Sequence, residues 1–456
     1  MRHAEGATAI GHQRPERPHL AAAVAAGADS ARYKFLLAAV LAVTLLLRAG
    51  WAAVAGVNVR ARFLFDPTIY DVFANHLLRG NGFVMFDDKP SAFFPPGYPV
   101  ILASLYKVFG TQLAVAWAAN SVFATLTCLL VYAVGRRLFD PGVALGAAGL
   151  FALFPGDIFY AGLTMTEATF GCFFLGVIYL FIIWNAAAVS LWHWLIFGLA
   201  LGALTLVRGV TLLYPAVPLA VWGASVGCTT STIKKSAVIA LGLAIVVAPW
   251  TVRNYVSMGY PILLAIDGPS AFFNAHNPLA FGGQTPAMHD LRHQLWPDLV
   301  GKPYSSVEVE QARREMRYGL DYMLAHPVRE ISQVPKRLQH LFEDDHWALN
   351  PLLNVLTPAW NRRCGLAADG YFYAVLLLAL AGVRRAWNTP PAAILFFTLG
   401  YFLVLHGVLF FGESRYHAPL IPILCLFAAL GARSLWSRGK QRFAEPLTRA
   451  AGAAPM

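Results

Sequence analysis

Carboxylates and arginines stand at the ends of the apolar segments of this sequence, where a charge is costly unless it is paired or hydrated. Asp66, Asp157 and Glu167 are the main acidic residues, and Arg208 and Arg253 are basic ones. A positioned carboxylate can act as a general base toward a hydroxyl or an amine, and an arginine suits phosphate oxygens. The pattern predicts a cavity lined by both signs of charge. Ordinary interfacial residues at helix ends are the alternative interpretation.

The elements that carry these charges are hydrophobic. Of 456 residues, 57% are hydrophobic and 13% are charged. That is too few charges to cover a water-facing surface, and the composition is the opposite of a disordered chain. The apolar runs predict about ten membrane spans. These runs lie at residues 33–57, 113–134, 143–160, 169–184, 194–207, 210–223, 237–250, 371–383, 392–411 and 418–430.

The spans divide the chain into segments. We predict a disordered tail at 1–32, an N-terminal transmembrane module at 33–250 with its first outside loop at 58–112, an extracytoplasmic domain at 251–369, C-terminal transmembrane helices at 370–435 and a second tail at 436–456. The first apolar run is too long for a cleaved signal peptide, so we predict a retained span. Apolar residues at helical spacing predict amphipathic helices at 70–78 and 311–326.

Basic residues mark alternate loops, as the positive-inside rule requires of cytoplasmic loops. Three pairs, Arg136-Arg137, Lys234-Lys235 and Arg384-Arg385, fall on one side together with both basic termini, and the loop at 185–192 on that side has no charge. This pattern predicts cytoplasmic termini and places both long interruptions outside. It explains the net charge of +11 as an orientation signal. Anionic membrane lipids are the predicted partners, and nucleic acid is not.

A series of short motifs occurs in order along the chain. The motifs are Phe65-Asp66-Pro67-Thr68-Ile69-Tyr70, Gly80-Asn81-Gly82-Phe83, Pro95-Pro96-Gly97-Tyr98-Pro99, Thr166-Glu167, Leu206-Val207-Arg208, Pro249-Trp250-Thr251-Val252-Arg253-Asn254-Tyr255 and Arg415-Tyr416. From about residue 33 to 435 the series resembles glycosyltransferase family 39 and the aminoarabinose-transferase-like group of the GT-C superfamily. The resemblance implies an all-α bundle of the GT-C type. It also implies an enzyme that takes a sugar from a polyprenyl-phosphate carrier on the outer face of the membrane.

The resemblance also assigns roles to residues. It implies that Asp66 is the catalytic base and that Glu167, or alternatively Asp157, assists it. Arg253 corresponds to the family's arginine near the donor phosphate. Lys89 and Arg208 are further candidates for the phosphate, although a lysine at an interface needs no function. The remaining candidates for the substrate cleft are Tyr70, Asn254, His276 and Arg415.

Cofactor signals are weak. The five cysteines are widely separated, which argues against disulfides and thiolate metal sites. His289 and His293 form an i,i+4 pair, and residues 342–346 combine acidic groups with His346, but neither group shows a third ligand in the sequence. We predict solvated faces there, assign no metal site and identify no required cofactor, while a divalent metal stays open. The sequence has no nucleotide-binding fingerprint.

Several alternatives remain at this stage. A transporter or flippase would share the many spans, but the carboxylates collect at one face and no internal repeat is visible. A polymerase or ligase of lipid-linked saccharides and a non-catalytic binder of sugar lipids are further alternatives. The sugar is open, and the acceptor is a lipid, a glycan or a protein. We predict an integral protein of a bacterial inner membrane, with its active site on the extracytoplasmic face.

Overall fold

The computed structural model describes residues 18–55, 66–85, 89–187, 189–352, 357–387 and 389–451, with side chains except at 18–30, 304–305, 350–352 and 438–451. This part of the chain is built from α-helices, as predicted. The helices are α1 (Pro18–Ala55), α2 (Asp66–Leu78), α3 (Gly97–Phe109), α4 (Leu113–Leu138), α5 (Pro141–Ala152), α6 (Pro155–Tyr160), α7 (Glu167–Ala186), α8 (Leu191–Val207), α9 (Ala216–Val226), α10 (Thr230–Met258), α11 (Asp267–Ala275), α12 (Ala287–Leu295), α13 (Tyr304–Ala325), α14 (Pro327–Leu341), α15 (Pro358–Ala386), α16 (Ala393–Val404) and α17 (Ile421–Ala451).

Within the described ranges, eight helices are long and apolar enough to cross a membrane. Each coincides with one of the predicted spans. The eight are Ala31–Ala55, Leu113–Leu138, Glu167–Ala186, Gly209–Val226, Thr230–Met258, Pro358–Ala386, Pro390–Leu409 and Ser414–Ser437. The two other predicted spans, at 143–160 and 194–207, fall on the shorter apolar helices α5, α6 and α8. A polytopic helical membrane protein is therefore confirmed, and the count by length and composition is eight instead of about ten.

Some predicted boundaries differ from the helix ends. Residues 18–32 of the predicted N-terminal tail belong to α1, where alanine-rich sequence favours the helix. Residues 1–17 lie outside the described ranges. The predicted second tail is helical as far as Ala451. Helix α15 begins at Pro358, before the predicted boundary at 370, because its first turns are polar and interrupt the apolar pattern. The amphipathic helices expected at 70–78 and 311–326 are present as α2 and α13.

Small residues bring the spans into close contact. Gly382 on α15 and Gly431 on α17 lie against the backbone of the opposite helix, where a Cβ atom would overlap a carbonyl oxygen. Gly198 and Gly202 on α8 face the backbone of α10 in the same way. Because lipid tails are as apolar as leucine, close packing of this kind drives the association of helices in membranes.

Two basic residues in the predicted cytoplasmic segments contact neighbouring elements. Arg433 near the end of the last span pairs with Asp140, which follows the Arg136-Arg137 pair. The Lys235 ammonium lies over the rings of Trp194 and Trp222, at 5.6 and 5.2 Å from their centroids. Arg433 and Lys235 therefore each contact an element other than their own.

The two long interruptions also meet each other. The Ile266 amide donates to the Ala92 carbonyl at 2.9 Å, and the Asp267 amide donates to the Phe93 carbonyl at 3.2 Å. Ala92, Ile262, Ile266 and Ala312 form a small buried apolar cluster between the first loop and α13. The described parts of the first loop and of region 251–369 thus pack against each other.

Candidate active site

Asp66 is the first residue of α2, where a carboxylate is favoured by the helix dipole. One of its oxygens accepts a hydrogen bond from the Arg415 guanidinium at 2.6 Å. The Nε atom of Arg415 lies 3.0 Å from a Glu413 carboxylate oxygen, and the guanidinium stacks over the Trp347 ring at 5.1 Å. The predicted base and a predicted cleft residue are therefore in direct contact.

This ion pair lines a cavity of about 530 Å³. Its inner wall comes from the first loop and from the segment before α17, and its outer wall comes from α11, α12 and α13. The lining residues are Asp66, Phe93, Phe94, Asp267, Ser270, Ala271, Asn274, Gln284, His289, Arg292, His293, Trp296, Leu299, Val300, Gly301, Lys302, Val307, Gln311, Phe411, Arg415 and Tyr416. The volume falls in the range of small-molecule sites.

Glu167 and Arg208 form a second ion pair, with 3.2 Å between nitrogen and oxygen. Glu167 opens α7 and Arg208 follows the last residue of α8. Gly97 lies against the backbone of Leu206, where a Cβ would overlap it, so the first loop packs directly on the chain that carries Arg208. The other carboxylate oxygen of Glu167 is buried and has no hydrogen-bond partner among the described residues. It is free to accept one.

Tyr70 connects the two ion pairs electrostatically. Its ring is buried, stacks on Phe94 at 4.5 Å and meets the edge of Tyr98 at 5.0 Å. Burial raises the pKa of the Tyr70 phenol well above its ordinary value, and the charges of Asp66 and Glu167 raise it further. The phenol therefore stays neutral, and Tyr70 lies close to both predicted acidic residues.

Asp157 is held in another place. Its carboxylate receives the Arg48 guanidinium at 2.7 Å, and Arg48 is fully buried within α1. The remaining donors of Arg48 bind the carbonyls of Phe151 and Ala152 at 3.0 and 2.9 Å. Asp157 does not line the cavity. Glu167 does not line the cavity either, but its charge acts on the Tyr70 phenol together with that of Asp66.

Arg253 holds the first loop, and Asn254 holds the segment that follows α10. The Arg253 guanidinium donates to the carbonyls of Ser91 and Phe83, both at 2.7 Å, and lies 4.8 Å from the centroid of the Trp250 ring. Asn254 is buried and donates to the Ile262 carbonyl at 3.0 Å. Neither residue lines the cavity.

Lys89 and His276 also lie away from the cavity lining. Lys89 is exposed beside a smaller groove that it shares with Glu310. His276 is fully buried, with one ring nitrogen 2.9 Å from Glu330 and the other 3.1 Å from the Leu409 carbonyl. Arg337 adds a contact of 2.6 Å to the same Glu330 oxygen. His276 thus belongs to a buried polar group that fastens α14.

The outer wall contains residues that the sequence did not single out. Glu315 on α13 is fully buried and accepts hydrogen bonds from Ser270 at 2.5 Å, Arg292 at 2.5 Å and Gln311 at 2.9 Å. Asp267 opens α11 and faces the cavity beside Asp66. Burial, followed by the charge of Asp66, raises the pKa of Asp267 to about 7. The sequence signal for Asp267 is an acidic residue at the start of a helix. Such residues are too common to identify a functional site.

The sequence contains two histidine-containing groups that were considered as metal sites. His289 and His293 are exposed and line the cavity, with ring centroids 4.1 Å apart. His346 lies 3.0 Å from both oxygens of Asp369 and 3.9 Å from Asp344. Asp369 is the third group that the sequence did not reveal, and these three are close enough together to hold an ion. The contacts between His346 and Asp369 are those of an ion pair, which ties the segment after α14 to α15.

Comparison with known proteins gives one family match. Residues 93–252 match the family of dolichyl-phosphate-mannose-protein mannosyltransferases. This segment of the chain is therefore similar to that family. The resemblance carried by the ordered motifs is confirmed, and the matched segment includes the Pro95–Pro99, Glu167 and Arg208 motifs. No curated protein matches the chain at a significant level.

Comparison with solved structures shows which fold the chain shares. Over 92% of its length it resembles the apo crystal structure of the oligosaccharyltransferase of Archaeoglobus fulgidus, with a TM-score of 0.51 and 15% identity. The chain also resembles AglB from the same organism in complex with an inhibitory peptide and a dolichol-phosphate. This match has a TM-score of 0.51 and a sequence identity of 16% over 93% of the chain. The chain spans about half the length of these proteins, 52% and 53%. Identity at this level shows a shared fold alone.

A weaker likeness involves ArnT from Cupriavidus metallidurans bound to undecaprenyl phosphate. Its TM-score is 0.44 and its identity 13%, over 87% of this chain and 77% of ArnT. The TM-score is too low to support an inference about this protein.

Proposed function

We propose that the protein transfers a sugar from a polyprenyl-phosphate carrier to an acceptor outside the cytoplasm, with inversion at the anomeric carbon. The observation that carries the proposal is the Asp66–Arg415 pair, which lines a cavity of about 530 Å³ between the first loop and the outer helices. The family match adds the class of chemistry. The AglB complex, which contains a dolichol-phosphate, makes such a carrier reasonable here.

Asp66 is the proposed general base. The acceptor oxygen or nitrogen bonds to the anomeric carbon while the bond from that carbon to the phosphate oxygen breaks, and the phosphate keeps the electron pair. The acceptor loses its proton to Asp66 as it attacks. A base in this position contributes about 10²–10⁴-fold to the rate. Attack from the face opposite the phosphate inverts the sugar, as water does in inverting glycosidases.

Cations stabilise the leaving phosphate in this scheme. Arg253, Lys89 and Arg208 remain the residues proposed for that role, and each has a different present partner. Arg208 is paired with Glu167, Arg253 with two backbone carbonyls, and Lys89 borders its own groove. Fixed guanidinium groups match phosphate geometry better than a mobile ammonium. Arg208 has the strongest support of the three, because Tyr70 and Glu167 link it to the Asp66 group.

Glu167 is proposed to place the acceptor or the donor sugar. Its unpaired, buried oxygen can accept a hydrogen bond from a substrate hydroxyl, while its other oxygen is fixed by Arg208. The scheme gives supporting roles to three predicted cleft residues. Tyr70 supports the first loop, Asn254 the segment after α10, and His276 the outer helices. Asp157 acts as the counterion of Arg48.

The proposed orientation has cytoplasmic termini. Its support is the alternation of basic pairs along the sequence, together with the hydrogen bonds that join the two long interruptions to each other. Both interruptions then lie on the extracytoplasmic face, together with the cavity. Anionic lipids of an inner membrane would contact the basic end.

A direct test uses the purified protein in lipid vesicles. Polyprenyl-phosphate donors that carry different labelled sugars are supplied with lipid, glycan and protein fractions from the cell envelope. We expect the label to move to one acceptor fraction and free polyprenyl phosphate to be released in equal amount. A flippase would carry the donor across the bilayer without releasing the phosphate, and a polymerase or ligase would move whole saccharide chains. Either result would contradict the proposal.

A further inference from the structure

A second carboxyl group shares the cavity with Asp66. Asp267 stands at the first position of α11, and the two backbone hydrogen bonds at Ile266 and Asp267 tie this helix start to the first loop. Asp66 and Asp267 therefore reach the cavity from two segments that are fastened to each other. Both carboxyl groups line it.

The two carboxyl groups differ in their partners. Asp66 is in contact with the Arg415 guanidinium, whereas Asp267 forms no ion pair with any cation that the structure describes. A proton placed on Asp66 removes the charge that faces Arg415, and breaking a partly buried ion pair is costly. Asp267 has no such pair to lose. Burial and the charge of Asp66 favour its protonated form, with a pKa of about 7.

Building on the function proposed above, we propose that Asp267 takes up from Asp66, directly or through cavity water, the proton that the acceptor loses, and so restores the Asp66 carboxylate. The acceptor O–H or N–H bond breaks, the proton passes to Asp66 and then to the ionised Asp267, and it leaves to solvent through the cavity mouth. No oxidant or further reactant is needed. Asp267 is a relay residue because it acts through Asp66.

Other charged groups around Asp267 also influence its protonation. Among them, Arg415 and Arg208 oppose the effect of Asp66 on the Asp267 carboxyl. Glu315 is occupied by Ser270 and Arg292, and Glu308 by Ser91. The titratable and charged groups on the surrounding elements are Asp66 and Tyr70 on α2, Arg208 after α8, His289, Arg292 and His293 on α12, Lys302 before α13, Glu308 and Glu315 on α13, and Arg415 and Tyr416 before α17.

The kinetic test compares pH profiles of transfer. Asp267 must be ionised to accept a proton, so the wild-type turnover rate should rise with pH through about 7. In Asp267→Asn we expect a turnover rate lower by about 10-fold or more above that pH, loss of this acid limb and an unchanged KM. Asp267→Glu should retain the limb. The control is Asp290→Asn, because Asp290 is exposed on α12 and is not part of the lining. An unaltered acid limb in Asp267→Asn would overturn the proposal.

An infrared titration tests the same relay without transfer activity. The wild type should show a protonated carboxyl absorption that disappears as the pH rises through about 7 and that is missing in Asp267→Asn. In Asp66→Asn this absorption should disappear at a lower pH, because the neighbouring negative charge is gone. Absence of such an absorption, or its indifference to Asp66→Asn, contradicts the inference. If no donor supports transfer by the wild type, the proposed function fails, and the titration still decides whether the two carboxyl groups are coupled.

Discussion

Asp66 and Arg415 form an ion pair of 2.6 Å although 349 residues separate them in the chain. One comes from the first loop and the other from the start of the last span. Residues of α11, α12 and α13 line the same cavity as this pair, so the shape of the cavity depends on the first loop, these helices and the start of the last span together. Loss of packing between the spans should therefore also distort the cavity. The variants below separate structural effects from catalytic ones.

The buried Arg48–Asp157 pair is expected to support the fold. Asp157→Ala leaves the fully buried Arg48 guanidinium without its counterion and should lower the free energy of unfolding by about 3 kcal/mol. Thermal unfolding in detergent measures the effect. Asp321→Ala is the control, since the Arg317–Asp321 pair is exposed and should change stability by about 0.5 kcal/mol or less. Equal unfolding temperatures for the two variants would show that Arg48 does not need Asp157.

Helix α15 offers a matched pair of glycines. Gly382→Ala places a methyl group where α17 presents the Phe427 carbonyl, so the two helices must separate. Gly370, on the same helix, has open space within 4 Å of the point that a Cβ atom would occupy, and Gly370→Ala should be neutral or stabilising by up to about 1 kcal/mol. Thermal unfolding should rank Gly382→Ala below the wild type and Gly370→Ala at or above it. The reverse order would refute the close crossing of α15 and α17.

Glu330 is expected to make stability depend on pH. Burial alone would raise the pKa of Glu330, but hydrogen bonds from His276 and Arg337 outweigh it and hold this pKa below its usual value. A lowered pKa means that the carboxylate stabilises the fold above its usual pKa, and that this contribution is lost as the pH falls through the lower value. Glu330→Gln should be less stable than the wild type near neutral pH, with a gap that narrows in acid.

Denaturation at several pH values measures this gap. Glu343→Gln is the control because the Glu343 side chain is half exposed and pairs only with His340. A gap between wild type and Glu330→Gln that stays constant down to acid pH would mean that the Glu330 charge does not contribute.

Much of the fold could be predicted because the bilayer imposes length and apolar composition on each span. The first amphipathic helix could be predicted from spacing, and the family from motifs that later proved to lie together. Asp66 and Arg415, Glu167 and Arg208, and Gly97 and Leu206 are pairs of motif residues in contact. The predicted topology put these motif residues on the same side of the membrane. That was enough to predict a common site.

The rest depends on contacts that no local pattern encodes. The short helices α5 and α8 are apolar like spans, and only their lengths in the fold distinguish them. Arg253 has the type and motif of a phosphate ligand, yet its donors reach the Phe83 and Ser91 carbonyls. Asp267 and Glu315 lie in a polar region where acidic residues are common. Their burial follows from how α11 and α13 pack, which the sequence does not show.

The role of Asp66 as general base is the central claim, and one comparison tests it most directly. Transfer from a labelled polyprenyl-phosphate sugar is measured for wild type, Asp66→Asn and the exposed control Asp290→Asn, each purified and shown to have the same thermal unfolding. We expect Asp290→Asn to transfer at the wild-type rate and Asp66→Asn to lose about 10²–10⁴-fold in turnover. Near-normal transfer by a folded Asp66→Asn protein would contradict the account.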